Sequence, residues 1–143
     1  IKSYYQNPIN YYLELINLFD KVLVVTSSDK LNPICGELIK IPKVQIQSTT
    51  LENDFNTLFN ATNLATSGVG TFPIAAALFS KNLQNIFYSN LYLREHLNPE
   101  MITDQSVKHH KFMVPDGYKL NYEQNRDLVS VILDKNIKVE NVH

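Results

Sequence analysis

Apolar positions in the first part of the chain follow two different periods. Ile9, Leu13 and Ile16 recur at three- and four-residue spacing, which predicts an amphipathic helix with Pro8 in its first turn. The residues from Val22 to Val25 form a continuous β-branched run, which is typical of a short strand buried on both faces. A helix followed by a buried strand is therefore the first predicted unit.

The same alternation continues to residue 89. The further predicted elements are a helix opening near Asn32–Pro33, a strand Val44–Gln47, a helix after Thr49, a strand Leu64–Thr66, a helix from Phe72 and a strand Asn85–Ser89. Strands that alternate with helices over short connections favour a parallel sheet with right-handed crossovers and helices on both faces. We therefore predict an α/β fold, a Rossmann-like three-layer sandwich with a mostly parallel sheet.

The length of 143 residues fits one domain, predicted here over residues 1–143. Residues 91–143 have weaker periodicity and are predicted as a less regular extension, with one final helix through Leu128, Val131 and Ile132. Thr49 and Glu52 are three residues apart, which predicts a capping box at the start of the third helix.

Composition and charge exclude several classes of protein. The formal net charge is -1, so no basic face for nucleic acid is expected. The longest apolar run is far shorter than the roughly 20 residues that cross a bilayer, and no signal segment opens the chain. The sequence does not decide whether the protein works in the Golgi lumen or in the cytoplasm. The single Cys35 rules out an internal disulfide and a thiolate zinc site, and it is predicted to be a buried thiol.

A metal site is not predicted. His109 and His110 are adjacent in sequence, so their side chains should point apart, and we predict that they are exposed to solvent. There is also no Asp-x-Asp pair of the kind that holds a divalent metal with a nucleotide sugar.

The strand ends carry the candidate chemistry. Ligands of open parallel sheets sit beyond the carboxyl ends of the strands. The three ends that can be named are Thr26-Ser27-Ser28-Asp29, Ser48-Thr49-Thr50 and Ser67-Gly68-Val69-Gly70-Thr71. All three are rich in hydroxyls or small residues. The tyrosines at the start of the chain either stack on a base or sugar or pack into the core; they are Tyr4, Tyr5, Tyr11 and Tyr12.

The third strand end suggests an anion site. Gly68 and Gly70 can adopt positive φ, and Thr71 is a good N-cap for the helix that begins at Phe72. A helix N-terminus presents unpaired N–H groups to a phosphate. A tight turn with a cap explains the same residues, and two glycines satisfy neither the dinucleotide fingerprint nor a Walker loop. Asp29 likewise either bonds a ribose hydroxyl or caps a turn.

Three stretches, taken in order, resemble the fucosyltransferase-like glycosyltransferases. "YYQNPINYYLELINLF" resembles the family's Q-P-P-x-x-Y-Y segment before a helix. "KVLVVTSSDKLNPICGELIK" is similar to its strand with a Ser/Thr-Asp loop. "TTLENDFNTLFNATNLATSGVGTFPIAAALFSKNLQNIFYS" resembles its segment with S-x-S-T-F-x-W-x-A. The relatives are α-1,2 and α-1,6 fucosyltransferases and related capsule or exopolysaccharide enzymes, and the resemblance covers about residues 4–90.

The resemblance implies one lobe of a two-lobed GT-B-type architecture, the lobe that holds the nucleotide sugar. The implied donor is a nucleoside diphosphate sugar such as GDP-fucose, used without a metal or other cofactor, and the implied acceptor is a glycan hydroxyl. The strand-end pattern and the resemblance together give as donor-binding residues Ser28, Asp29, Ser67, Gly68, Gly70, Thr71 and Phe72, with Asp54 and Thr49 as further candidate contacts.

Two departures from the family pattern limit this interpretation. The family carries a His-x-Arg-x-Gly-Asp-type motif just before the Q-P-P segment, and this chain has none, so we expect a catalytic Arg in a missing N-terminal lobe. Ile74 replaces the usual aromatic after Thr-Phe-x, so the sugar is not identified and the catalytic residues stay unassigned. The alternative is a non-catalytic α/β binding or assembly module that retains the fold. A sugar-nucleotide epimerase is disfavoured because its Gly-rich loop and Tyr-x-x-x-Lys pair are absent.

Overall fold

The chain folds as a mixed α/β protein. A computed structural model describes residues 5–27, 32–68 and 70–142. In chain order the elements are α1 (Ile9–Ile16), β1 (Val22–Val25), α2 (Pro33–Leu38), β2 (Val44–Gln47), α3 (Leu51–Phe59), β3 (Asn63–Ala65), α4 (Phe72–Phe79), β4 (Asn85–Ser89), a 3-10 helix (Pro99–Met101), β5 (Lys108–Met113), α5 (Asp116–Gln124), α6 (Leu128–Ile132) and β6 (Glu140–Val142). The predicted alternation of helix and strand up to β4 is confirmed.

The strands form two sheets, mostly parallel. β1 pairs with β2 in parallel, with Val22 opposite Val44. The larger sheet has the order β3-β4-β5-β6, in which only β6 is antiparallel. The prediction of a single sheet was therefore wrong, since no ladder joins β1 to β3 in the described part of the chain. The mostly parallel pairing is confirmed.

Helices cover both faces of the larger sheet. On one face, Tyr11 and Leu15 of α1 pack with Phe87 and Phe112 from β4 and β5. On the other face, Ala77 of α4 packs in a cluster with side chains of β3 and β4 that include Leu64, Ile86 and Tyr88. Successive residues of β4 thus enter opposite clusters, as the pleat of a strand requires.

Helix α1 also connects the two sheets. Its Ile9 and Ile16 pack with Ile34 and Leu38 of α2 and with Val44 of β2. The other side of the same helix contributes to the cluster on the larger sheet. One helix with two buried faces therefore holds the two sheets next to each other.

The start of α3 differs from the predicted capping box. Thr50 is the N-cap, and its hydroxyl accepts a hydrogen bond from the backbone N–H of Asn53 at 3.2 Å. The predicted cap residue, Thr49, instead donates its hydroxyl to Asp54 at 2.7 Å. The prediction was off by one residue because the Asp54 carboxylate takes up the Thr49 hydroxyl.

The C-terminal part is more regular than predicted. It contains two strands and two α-helices, and α5 and α6 are separate helices with Asp127 capping the second.

The prediction of solvent exposure for His109 and His110 was wrong. Both are half-buried in β5, where His110 stacks on Phe87 at 4.5 Å between ring centroids. Within the described residues, no helix is long and apolar enough to cross a membrane.

Candidate functional site

A cavity of about 430 Å³ opens where β1 and β3 end. Thr26 and Ser27, which follow β1, line it, and so does Ser67, which follows β3. We call this space the strand-end cavity. It joins the carboxyl ends of the first strand of each sheet, which is where α/β proteins place their ligands.

The first turn of α2 forms another wall. Asn32 caps this helix by accepting a hydrogen bond from the backbone N–H of Ile34 at 2.9 Å, and Pro33 occupies the first helical position. Asn32, Pro33, Ile34 and Cys35 all line the cavity. Cys35 is half-buried and faces this space, so the prediction of a buried thiol was wrong.

The segment before α1 contributes a further part of the cavity wall, next to the end of β3. Gln6 forms an isolated antiparallel bridge with Gly68, and its backbone carbonyl accepts a hydrogen bond from the Tyr118 hydroxyl at 2.6 Å. Gln6 and Tyr12 line the cavity. Sequence analysis did not identify Gln6 as a site residue. The available signals were the Q-P-P-like segment and the tyrosine-rich start of the chain.

Asn7 fixes this segment to the end of β4. Its side chain is fully buried, and its Oδ1 accepts a hydrogen bond from the Ser89 hydroxyl at 2.6 Å. The same hydroxyl oxygen accepts from the backbone N–H of Leu91 at 3.1 Å. The position of Gln6 therefore depends on buried hydrogen bonds next to it.

Gly68 is needed for this close approach of two backbones. Its φ is +116°, and a Cβ there would lie 3.2 Å from the carbonyl oxygen of Tyr5. Gly70 has neither constraint: its φ is outside the left-handed region, and a Cβ added to it would meet nothing within 4 Å. Of the two glycines that can adopt positive φ, Gly68 does so and Gly70 does not.

The start of α4 lies beside the cavity wall rather than on it. Thr71 occupies the predicted N-cap position and the helix begins at Phe72 as predicted, although the Thr71 side chain makes no capping hydrogen bond. Phe72 is half-buried and packs against Phe55 of α3, with ring centroids 5.6 Å apart. Among the described residues of the junction, Ser67 lines the cavity, whereas Gly70, Thr71 and Phe72 do not.

Asp54 and Thr49 form a separate network at the end of β2. The Asp54 carboxylate accepts hydrogen bonds from the Gln47 amide at 2.8 Å and from the Thr49 hydroxyl and backbone N–H. These bonds, first the one from Gln47 and then those from Thr49, lower the pKa of Asp54. The network joins β2 to α3, and neither Asp54 nor Thr49 lines the cavity.

The described wall of the cavity has no charged side chain. It combines hydroxyls and amides with the apolar side chains of Val24, Leu38 and Ile132. The predicted contacts Ser28 and Asp29 lie outside the described residues. No group of three or more potential metal ligands occurs in the part of the chain that the structure describes.

A second cavity, of about 500 Å³, lies at the opposite edge of the larger sheet. Its wall includes Thr62 before β3, Gln84 before β4 and Ser106 before β5, together with Lys81. Although its volume is larger, it lies at the amino ends of the strands. We therefore take the strand-end cavity as the candidate site.

Comparisons of the chain with models of protein families, with curated proteins and with solved structures found no match. The function is accordingly proposed from the cavity and from the sequence motifs.

Proposed function

We propose that this chain is the donor-binding lobe of a fucosyltransferase-like, GT-B-type glycosyltransferase. It would bind a nucleoside diphosphate sugar, such as GDP-fucose, for transfer to a hydroxyl of a glycan acceptor without a metal. The observation that carries the proposal is the strand-end cavity, where Thr26, Ser27 and Ser67 meet. The Rossmann-like description of the fold and the second lobe belong to the same proposal.

The position of the cavity supports a nucleotide ligand. The chain passes from β1 to β2 in one sheet and from β3 to β4 in the other. The cavity lies at the carboxyl ends of both starting strands, and this supports the proposal because open α/β sheets bind ligands beyond the carboxyl ends of their strands. Hydroxyls from two strand ends can donate to ribose, sugar or phosphate oxygens.

In the proposed transfer, this lobe would bind the donor and stabilise the leaving diphosphate. The acceptor hydroxyl oxygen would form a bond to the anomeric carbon while the bond from that carbon to the diphosphate breaks. The nucleoside diphosphate leaves with the bonding electron pair, and the acceptor proton passes to a base that these residues do not identify. Donors placed around the leaving diphosphate would stabilise its growing charge. Ser67 and the N–H groups at the start of α4 are the nearest candidates for this role.

A second candidate function is a non-catalytic α/β binding or assembly module. Two observations favour it. The Gly68 turn is accounted for by its close contact with Tyr5, and the Asp54 carboxylate is already bonded to Gln47 and Thr49. In this case the residues at the strand ends and at the helix N-termini only stabilise the fold and bind no ligand.

Calorimetric titration of the 143-residue chain with GDP, UDP and CMP separates the two functions. We expect at least one of the three to bind, and we expect Gly70→Val and Thr71→Ala to weaken that binding. A side chain at Gly70 meets open space, so the fold should tolerate the change. Gly117→Val is the matched control, since its added side chain also meets open space and Gly117 belongs to α5 and not to the junction of β3 and α4. A folded chain that binds none of the three nucleotides contradicts the transferase proposal and favours the second candidate.

A further inference from the structure

The side-chain amide of Gln6 is held in one orientation at the wall of the strand-end cavity. Its Oε1 accepts hydrogen bonds from the Tyr12 hydroxyl at 2.5 Å and from the backbone N–H of Asn7 at 3.0 Å. A backbone N–H can only donate, so the amide atom that faces Asn7 must be the oxygen. Both bonds use Oε1, which leaves the two N–H groups of Nε2 to donate elsewhere.

The surroundings of Gln6 keep this orientation fixed. The backbone of Gln6 is held by its bridge to Gly68 and by the Tyr118 hydroxyl. Burial, together with the neighbouring Tyr11 and Tyr118, raises the pKa of Tyr12 well above its usual value. Tyr12 therefore stays protonated at neutral pH and donates to Oε1.

The described wall suits an uncharged polar ligand group. It offers the donors Gln6, Thr26 and Ser67 beside apolar side chains, and no described lining residue carries a charge. A nucleobase or a sugar ring needs a few oriented donors within a largely apolar space.

We propose that Gln6 is a specificity-determining residue of the strand-end cavity, which donates from Nε2 to an oxygen acceptor on the uncharged ring of the bound nucleotide sugar. The ring is either the nucleobase or the sugar, and both present carbonyl or hydroxyl oxygens. Tyr12 is the positioning residue that holds the amide. This inference rests on the proposed function and adds which part of the donor occupies the cavity.

Gln6→Glu tests the donor directly. A glutamate has the same shape and can still accept from Tyr12 and Asn7, but it replaces the Nε2 donor by an oxygen. We expect the affinity for a bound probe to fall about tenfold or more. Gln84→Glu makes the same change in the second cavity and should leave the affinity unchanged. Thermal unfolding of each variant confirms that it is folded.

Tyr12→Phe tests the positioning role. It removes one of the two donors to Oε1, so the nitrogen-bound protons of the Gln6 side chain should shift in the NMR spectrum. Their signal is assigned by its loss in Gln6→Glu. We expect a smaller loss of affinity than for Gln6→Glu, because Nε2 is retained. An unchanged Gln6 signal in Tyr12→Phe contradicts the positioning role.

The probes distinguish this inference from the proposed function. They are guanosine, uridine, cytidine and fucose as uncharged ligands, and GDP, UDP and CMP as charged ones. If one nucleoside binds better than the other two and this binding weakens in Gln6→Glu, the inference is supported with the base as the source, and weakened binding of fucose identifies the sugar. If nucleotides bind equally to wild type and Gln6→Glu, the inference is wrong and the proposed function stands. If an uncharged probe needs Gln6 but the phosphates add no affinity, the inference stands and the diphosphate part of the proposed function is wrong. Binding of no probe overturns both.

Discussion

The hydroxyl of Tyr11 lies 2.5 Å from the backbone carbonyl oxygen of Thr66 and 3.3 Å from that of Phe87. Tyr11 is fully buried in α1, and the two carbonyls belong to the end of β3 and to β4. Thr66 is followed directly by Ser67, which lines the strand-end cavity. Helix α1 thereby sets the position of one edge of the candidate site.

Removing this hydroxyl should destabilise the protein. In Tyr11→Phe the buried carbonyls lose their donor, and we expect the free energy of unfolding to fall by about 1–3 kcal/mol. Tyr92→Phe is the control, because its hydroxyl bonds Glu100 at an exposed site, and a change within about 0.5 kcal/mol is expected there. Urea unfolding measures both, and a Tyr11→Phe variant as stable as wild type would show that this bond does not hold β3.

The two glycines near the end of β3 should respond differently to the same substitution. Gly68→Ala forces a side chain into a positive φ and against the Tyr5 carbonyl, and should cost about 1–3 kcal/mol of unfolding free energy. Gly70→Ala meets open space at an ordinary φ and should change stability by less than about 1 kcal/mol, in the stabilising direction. Thermal and urea unfolding of the pair measure the difference. Equal losses would contradict the assigned role of Gly68.

The Asp54 network should make stability depend on acid pH. The pKa of Asp54 is lower in the folded chain than in the unfolded one, because Gln47 and then Thr49 hydrogen-bond its carboxylate. The stability that the Asp54 carboxylate contributes is therefore present above its unfolded pKa of about 4 and is lost as the pH falls through its folded pKa. We expect wild type to be more stable than Asp54→Asn at neutral pH, and the difference to shrink below about pH 4.

Urea unfolding over a pH series measures this difference. Glu52→Gln, at an exposed carboxylate of the same helix, controls for the loss of one negative charge. A difference between wild type and Asp54→Asn that stays constant down to acid pH would argue against the network.

The buried tyrosines should make stability depend on alkaline pH. Burial raises the pKa of Tyr11 and of Tyr118, so both are neutral in the folded chain at pH values where the unfolded chain begins to ionise. The stability that these two tyrosines contribute is complete below the unfolded pKa of about 10 and falls as the pH rises above that value. Tyr11→Phe should reduce this loss of stability, as measured by urea unfolding on both sides of about pH 10. An identical alkaline loss in wild type and Tyr11→Phe contradicts the assignment.

Local patterns predicted much of the fold up to β4. The run from Val22 to Val25 became β1 with the predicted bounds, and Val44–Gln47 became β2, because short β-branched or alternating runs fit a pleated strand. β5 was missed because Lys108–Met113 has one buried residue, Phe112, and no apolar period. Its place depends on pairing with β4, which is a tertiary contact that local sequence does not encode.

The site was less predictable than the fold. Ser67 and the end of β1 were identified from strand-end chemistry, which depends only on the order of elements. Gln6 and Tyr12 reach the cavity because the segment before α1 pairs with Gly68, far along the chain. The division into two sheets also escaped prediction, since alternation indicates parallel strands but not their lateral neighbours.

The central claim is that a nucleotide binds where the ends of β1 and β3 meet. Titration of the nitrogen-15-labelled chain with GDP and UDP, followed through the backbone amide signals, tests it most directly. We expect the amides of Thr26 and Ser67 to shift in a saturable manner, while those of Thr62 and Ser106 in the second cavity stay in place. Shifts confined to Thr62 and Ser106, or no saturable shift at Thr26 and Ser67, would contradict the claim.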